Sequence, residues 1–149
     1  MASGRSSICR IRLWRMFAHG SKNPMKWKKR TLDEIAEMIC GNVERAKNGE
    51  FVPNASFKYR SSFYLTRFFE DAETKFTHDG TTRSVWVSDV LERILTEPRS
   101  NAQTPPAAML RVIQTLMDIG DAASDDPDRK DALAKLNTAL SYAGIWVTG

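Results

Sequence analysis

Histidine and cysteine are nearly missing from this chain of 149 residues, which has two of each. Cys9 and Cys40 form no CxxC and have no histidine at ligand spacing, so a zinc ribbon or a disulfide framework is excluded and free thiols in a reducing cytosol are expected. No apolar run approaches the roughly 20 residues needed to cross a bilayer. Acidic residues are absent from residues 1–30. A nucleophile elbow, a P-loop, a dinucleotide fingerprint and HExxH are all lacking, and no serine sits near a visible base. Paired carboxylates such as Glu70-Asp71 and Asp125-Asp126 read as solvated surface. No cofactor, no metal and no catalytic residue is expected.

What is present is ordinary for a folded protein: 42% hydrophobic and 27% charged residues. At this length one domain can bury about two-thirds of its unfolded surface without a staple. The net charge of +4 hides a segregation. Residues 1–30 hold nine Lys or Arg and no acid, whereas the remainder holds 13 basic against 18 acidic residues. The high isoelectric point therefore belongs to the arm and not to the body.

Residues 1–30 read as a basic flexible arm, expected to be disordered, and residues 31–149 as a single helical domain. Arg10, Arg12 and Arg15 interrupt any signal-peptide core, so secretion is not expected and the cytoplasm is the expected location. The Arg-rich, Ser-rich composition also fits an organellar transit peptide, and Met25 offers a second translation start. Arg10, Arg12, Arg15, Lys22, Lys26, Lys28, Lys29 and Arg30 interleave with Trp14, Phe17 and Trp27, a composition suited to phosphate contacts plus base stacking. Arg12 and His19 formally satisfy the Arg-x4-6-His pattern of the HEPN ribonucleases, but in an arm with no sign of packing.

Five helices are expected. Thr31-Leu32-Asp33-Glu34 reads as a capping box, and Leu32, Ile35, Ile39, Val43 and Ala46 continue at helical spacing until Asn48-Gly49. Pro53 and Asn54 mark a connector. Phe63, Tyr64, Leu65, Phe68 and Phe69 then crowd a helix capped by Ser61 and reaching Ala72. Apolar over so wide an arc, this helix is expected at the centre of the fold, and the stretch 57–95 is expected to organise it. Thr81, Thr82 or Ser84 caps the next helix, with Val87, Val90, Leu91, Ile94 and Leu95 inward and Trp86 beside them. Thr104-Pro105 and Asp126-Pro127 start two more, striped by Met109, Val112, Ile113, Leu116 and Met117, and by Ala132, Leu133, Leu136, Leu140 and Ala143. Ile145-Trp146-Val147 is a short apolar tail, expected to fold back on the last helix in preference to forming a strand. The fold class is all-α, a compact bundle.

His78, Asp79 and Arg83 fall in one turn before a helix start. They suit an anion pocket or, more simply, a turn whose side chains cap the helix. Trp86 and Trp146 are candidates for an exposed interaction patch.

Lys26–Gly41 (KWKKRTLDEIAEMICG), Tyr59–Ala72 (YRSSFYLTRFFEDA), His78–Leu95 (HDGTTRSVWVSDVLERIL) and Leu136–Gly144 (LNTALSYAG) follow one another in an order that resembles the bacterial abortive-infection AbiJ N-terminal domains, third type. The resemblance spans about four-fifths of the chain. It implies a non-enzymatic helical interaction or sensing module of a phage-defence protein, coupled to an effector domain or protein partner, and it carries over no catalytic residue. The alternative is a nucleic-acid-binding module using the arm, with Arg60, Arg67 and Arg83 around the central helices. Neither reading calls for a membrane.

Overall fold

The computed structural model describes residues 15–18, 27–41, 44–45, 47–52, 56–99, 105–118 and 129–148. Five helices carry the fold: α1 Lys29–Cys40, α2 Ser62–Asp71, α3 Arg83–Leu95, α4 Ala107–Met117 and α5 Lys130–Ser141. Two small antiparallel ladders accompany them. One joins β1 Arg15–Ala18 to β4 Ile145–Thr148, and the other joins β2 Glu44–Arg45 to β3 Phe51–Val52. The protein is an all-α bundle, and no helix among the described residues is long and apolar enough to cross a membrane.

Helices α1, α3, α4 and α5 bury most of the stripe that their spacing specifies. Leu32, Ile35, Ala36 and Ile39 of α1 meet Val87, Val90, Leu91 and Ile94 of α3 in one continuous core, joined by Met109, Val112, Ile113 and Leu116 of α4 and by Leu136 and Leu140 of α5. The most extensively packed helix pair is α1 with α3, and α5 also packs on α1. The centre is thus α1–α3. The aromatic helix α2, expected there, lies to the side: it buries Leu65, Phe68 and Phe69 and leaves Phe63 and Tyr64 outside.

Several helix ends differ from expectation. The helix α1 begins two residues before Thr31, with Lys28 at the N-cap position and no side-chain cap. The capping box therefore does not form. Thr31 is fully buried and its hydroxyl donates to the Ala139 carbonyl at 3.3 Å, tying α1 to α5, while Glu34 accepts from Arg30 at 3.3 Å. The helix also stops early, at Gly41 with φ +66°, because this residue takes the left-handed conformation that ends a helix at low cost only for glycine. Asn48-Gly49 consequently belongs to the loop of the β2–β3 hairpin: Gly49 has φ +89° and the Asn48 side chain accepts from the Glu50 amide. Ser61 and Thr82 do stand at the N-cap positions of α2 and α3, each without a side-chain cap bond. Pro106 replaces Thr104 as the residue before α4, and Arg129 precedes α5. Thr104, Pro53, Asn54, Asp126 and Pro127 lie outside the described residues.

The tail folds back on α5 and is also a strand. Asn137 donates to the Val147 carbonyl at 3.0 Å and accepts from its amide at 2.6 Å. Ile145 and Val147 are buried, and the other edge of β4 pairs with β1 in the register Phe17↔Trp146. Part of the stretch expected to be a loose arm, Arg15–Ala18, is thereby laid along the C-terminal strand.

Candidate functional site

Arginines finish three of the helices, α1, α2 and α4. The last carbonyls of α1 have no partner within the helix, and two guanidinium groups meet them: Arg60 Nη1 donates to Ile39 at 2.8 Å and Arg83 Nη2 to Cys40 at 2.9 Å. The amide of Arg60 adds a bond to Cys40 at 2.9 Å, and Arg83 Nε returns to the Arg60 carbonyl at 2.9 Å. Arg111 donates to Ala72 beyond α2, and Arg129 donates to Leu116, Asp118 and Ser56 around the end of α4. A positive charge at a helix C-terminus is also favourable to the helix dipole. Cys40, inside this cage, is fully buried, and burial pushes its thiol up to about 11. At neutral pH it stays protonated and unreactive.

The same bonds place a surface. They pin residues 58–60 across the end of α1, so that Lys58 and Tyr59 face outward beside the first turns of α2. On α2, Tyr64, Arg67, Phe68 and Asp71 are spaced i, i+3, i+4 and i+7 and share one face. Together Lys58, Tyr59, Arg60, Tyr64, Arg67, Phe68 and Asp71 line a groove of about 340 Å³. Phe68 and Arg60 form its inner wall, the guanidinium 4.6 Å from the ring centre, and both are buried. The outer parts are open: Tyr59 is 62% exposed, Tyr64 59% and the neighbouring Phe63 61%. Burial of such side chains would ordinarily contribute about 1.5–3 kcal/mol each, which these three largely forgo.

The rings are held in place. Arg83 lies over Tyr59 at 4.3 Å, Phe63 meets Tyr64 edge to face at 5.2 Å, and Arg67 stands 5.8 Å from the Phe63 ring. Arg67 also pairs with Glu70 at 3.7 Å in an exposed contact, worth little in water. Three cations and one carboxylate, Asp71, therefore share a groove flanked by three exposed aromatic rings.

The turn at His78 is a helix-entry turn. Asp79 accepts from the Thr81 amide at 3.0 Å and the Thr81 hydroxyl at 2.6 Å, and these bonds hold its carboxyl below the usual range. His78 Nδ1 accepts from the Gly80 amide, and the ring lies 5.0 Å from Trp86. Arg83 points away to its carbonyls, so the three residues are not brought together around an anion. Trp86 is only 6% exposed and packs against Phe69; the expectation that it belongs to an exposed patch is not met because its ring completes the core. Trp146 is half-buried in β4.

The arm candidates are dispersed. Trp27 is half-buried against the core, and Lys28 is exposed. Lys29 bonds Ser88 and Glu92, each at 2.9 Å, and Arg30 is held by Glu34 and by Tyr142, whose ring centre is 4.4 Å away. These two cations belong to the first turn of α1. Arg10, Arg12, His19 and Lys26 lie outside the described residues, as does the Arg15 side chain.

Of the groove's residues, sequence reasoning singles out Arg60 and Arg67 as possible nucleic-acid contacts and misses the rest. The available signal was excess: α2 carries more aromatic surface than one buried face can take, and its groove face mixes those rings with Arg67 and Asp71. Set against protein-family models, curated proteins and solved structures, the chain matches none.

Proposed function

We propose that the protein is a non-enzymatic helical interaction or sensing module of the abortive-infection kind, acting through an effector, and that the groove on α2 is its recognition surface. The observation that supports this most is the exposure of Tyr59, Phe63 and Tyr64 around the groove. Clustered exposed aromatics beside arginine have the composition of a binding surface, since each ring supplies contact area with few torsions to freeze. The bonds to the end of α1 keep that surface preorganised, which lowers the cost of binding. The phage-defence setting rests on the sequence resemblance.

Expressed from its own gene in a phage-sensitive bacterium, the protein is expected to lower phage plating efficiency, and Phe63→Ser/Tyr64→Ser should lose that protection at unchanged protein level. Protection retained by the double variant would show that the recognition surface lies elsewhere. Absence of protection with the wild type would contradict the phage-defence setting.

A further inference from the structure

We infer that the groove binds a single-stranded nucleic acid, stacking an unpaired base on its exposed aromatic rings with the adjoining phosphates on Lys58 and Arg67. This rests on the reading of the groove as the recognition surface and names the ligand that it takes. The volume, about 340 Å³, falls at the low end of small-ligand sites, on the order of 300–1,000 Å³. It suits one nucleotide with its neighbours running out along the open rings.

The chemistry favours a base over an acidic peptide. An acidic peptide would use the cations but would leave the exposed rings of Tyr59, Phe63 and Tyr64 without a matching group. A single strand uses all three features. Its bases stack on tyrosine and phenylalanine, its phosphates meet Lys58 and Arg67, and a base amino group donates to the Asp71 carboxylate. Duplex is disfavoured, because stacking on these rings requires an unpaired base face. Stacking arrives preorganised, since Arg83 holds Tyr59 while itself bonded to the Arg60 and Cys40 carbonyls.

Fluorescence anisotropy with the full chain and a labelled oligodeoxycytidylate of about a dozen residues tests this. Binding is expected to weaken steeply with salt, and Lys58→Gln should reduce the slope of log K against log salt by about 0.7. Tyr64→Ala should weaken binding roughly 5- to 150-fold, the range that loss of one stacked base spans, whereas Tyr64→Phe should bind like the wild type. Circular dichroism checks that each variant is folded. Affinity unchanged in Tyr64→Ala overturns the inference, and so does affinity lost only when Arg10, Arg12 and Lys26 are changed to Gln, which would assign binding to the arm. Failure of the folded wild type to bind also overturns it, as would binding of a poly-glutamate peptide in place of the oligonucleotide. Those last results leave the recognition reading to its own phage assay; conversely, oligonucleotide binding that depends on Tyr64, without phage protection, would overturn only the defence setting.

Discussion

Gly41→Ala is expected to lower the melting temperature by about 10 °C or more, the consequence of losing on the order of 3–5 kcal/mol in a domain of this size. Two costs add. An alanine at φ +66° sits in the left-handed region, a penalty of about 1–2 kcal/mol. Its Cβ would also overlap the carbonyl group of Lys58, which is backbone and cannot rotate away. Relief requires residues 58–60 to lift from the end of α1, breaking the Arg60 amide bond to Cys40 and the Arg83 bond to the Arg60 carbonyl. The control is Gly144→Ala, where φ is +73° but a Cβ meets open space. That variant should show only the backbone penalty, about 1–2 kcal/mol. Equal melting temperatures for the two would mean that the close approach of Lys58 to Gly41 is not a feature of the folded protein.

Arg129→Met is expected to cost about 3–5 kcal/mol in urea unfolding, although the methionine is apolar and of comparable length. Arg129 is 5% exposed and donates to three carbonyls, those of Leu116 at 2.8 Å, Asp118 at 2.8 Å and Ser56 at 2.7 Å. A charged donor contributes about 1.5–3 kcal/mol per bond, and an unanswered buried carbonyl adds its own desolvation penalty. The guanidinium fork spans acceptors from two separate segments, the end of α4 and the residue before Phe57. An ammonium is a point charge with a shorter reach between partners, so Arg129→Lys should recover part of the loss and not all of it. Full recovery by lysine would show that charge alone, and not the fork, joins these segments.

Five helices were legible because their stripes repeat at helical spacing: of the residues expected inside α3, Val87, Val90, Leu91 and Ile94 are buried and Leu95 is half-buried, while Trp86 and Ser88 are buried as well. The His78-Asp79-Gly80 turn was legible for the same kind of local reason, with Gly80 at φ +90° and Asp79 bonded two residues ahead. What escaped depended on partners distant in sequence. Thr31 fits a capping box by spacing, yet a carbonyl 108 residues away claims its hydroxyl. Val43 and Ala46 continue the α1 period on paper, but Gly41 breaks the helix and allows residues 58–60 to cross its end. Arg60 and Arg83 suited nucleic-acid or anion contact by sequence and Arg111 and Arg129 gave no signal, yet each of the four donates to backbone carbonyls. The groove was illegible for a related reason. Its lining is one short stretch, residues 58–71, whose placement is fixed by bonds from Arg60 and Arg83 to the distant end of α1, and periodicity alone cannot distinguish an aromatic face that is buried from one left open.

The central claim is that the aromatic surface of α2 exceeds what folding needs. Its most direct test is the melting temperature of Phe63→Ser/Tyr64→Ser. Surface changes fall within about 0.5 kcal/mol each, so the double variant should melt within roughly 4 °C of the wild type. A fall of about 10 °C or more, the size produced by emptying a core position, would place these rings in the core and contradict the claim.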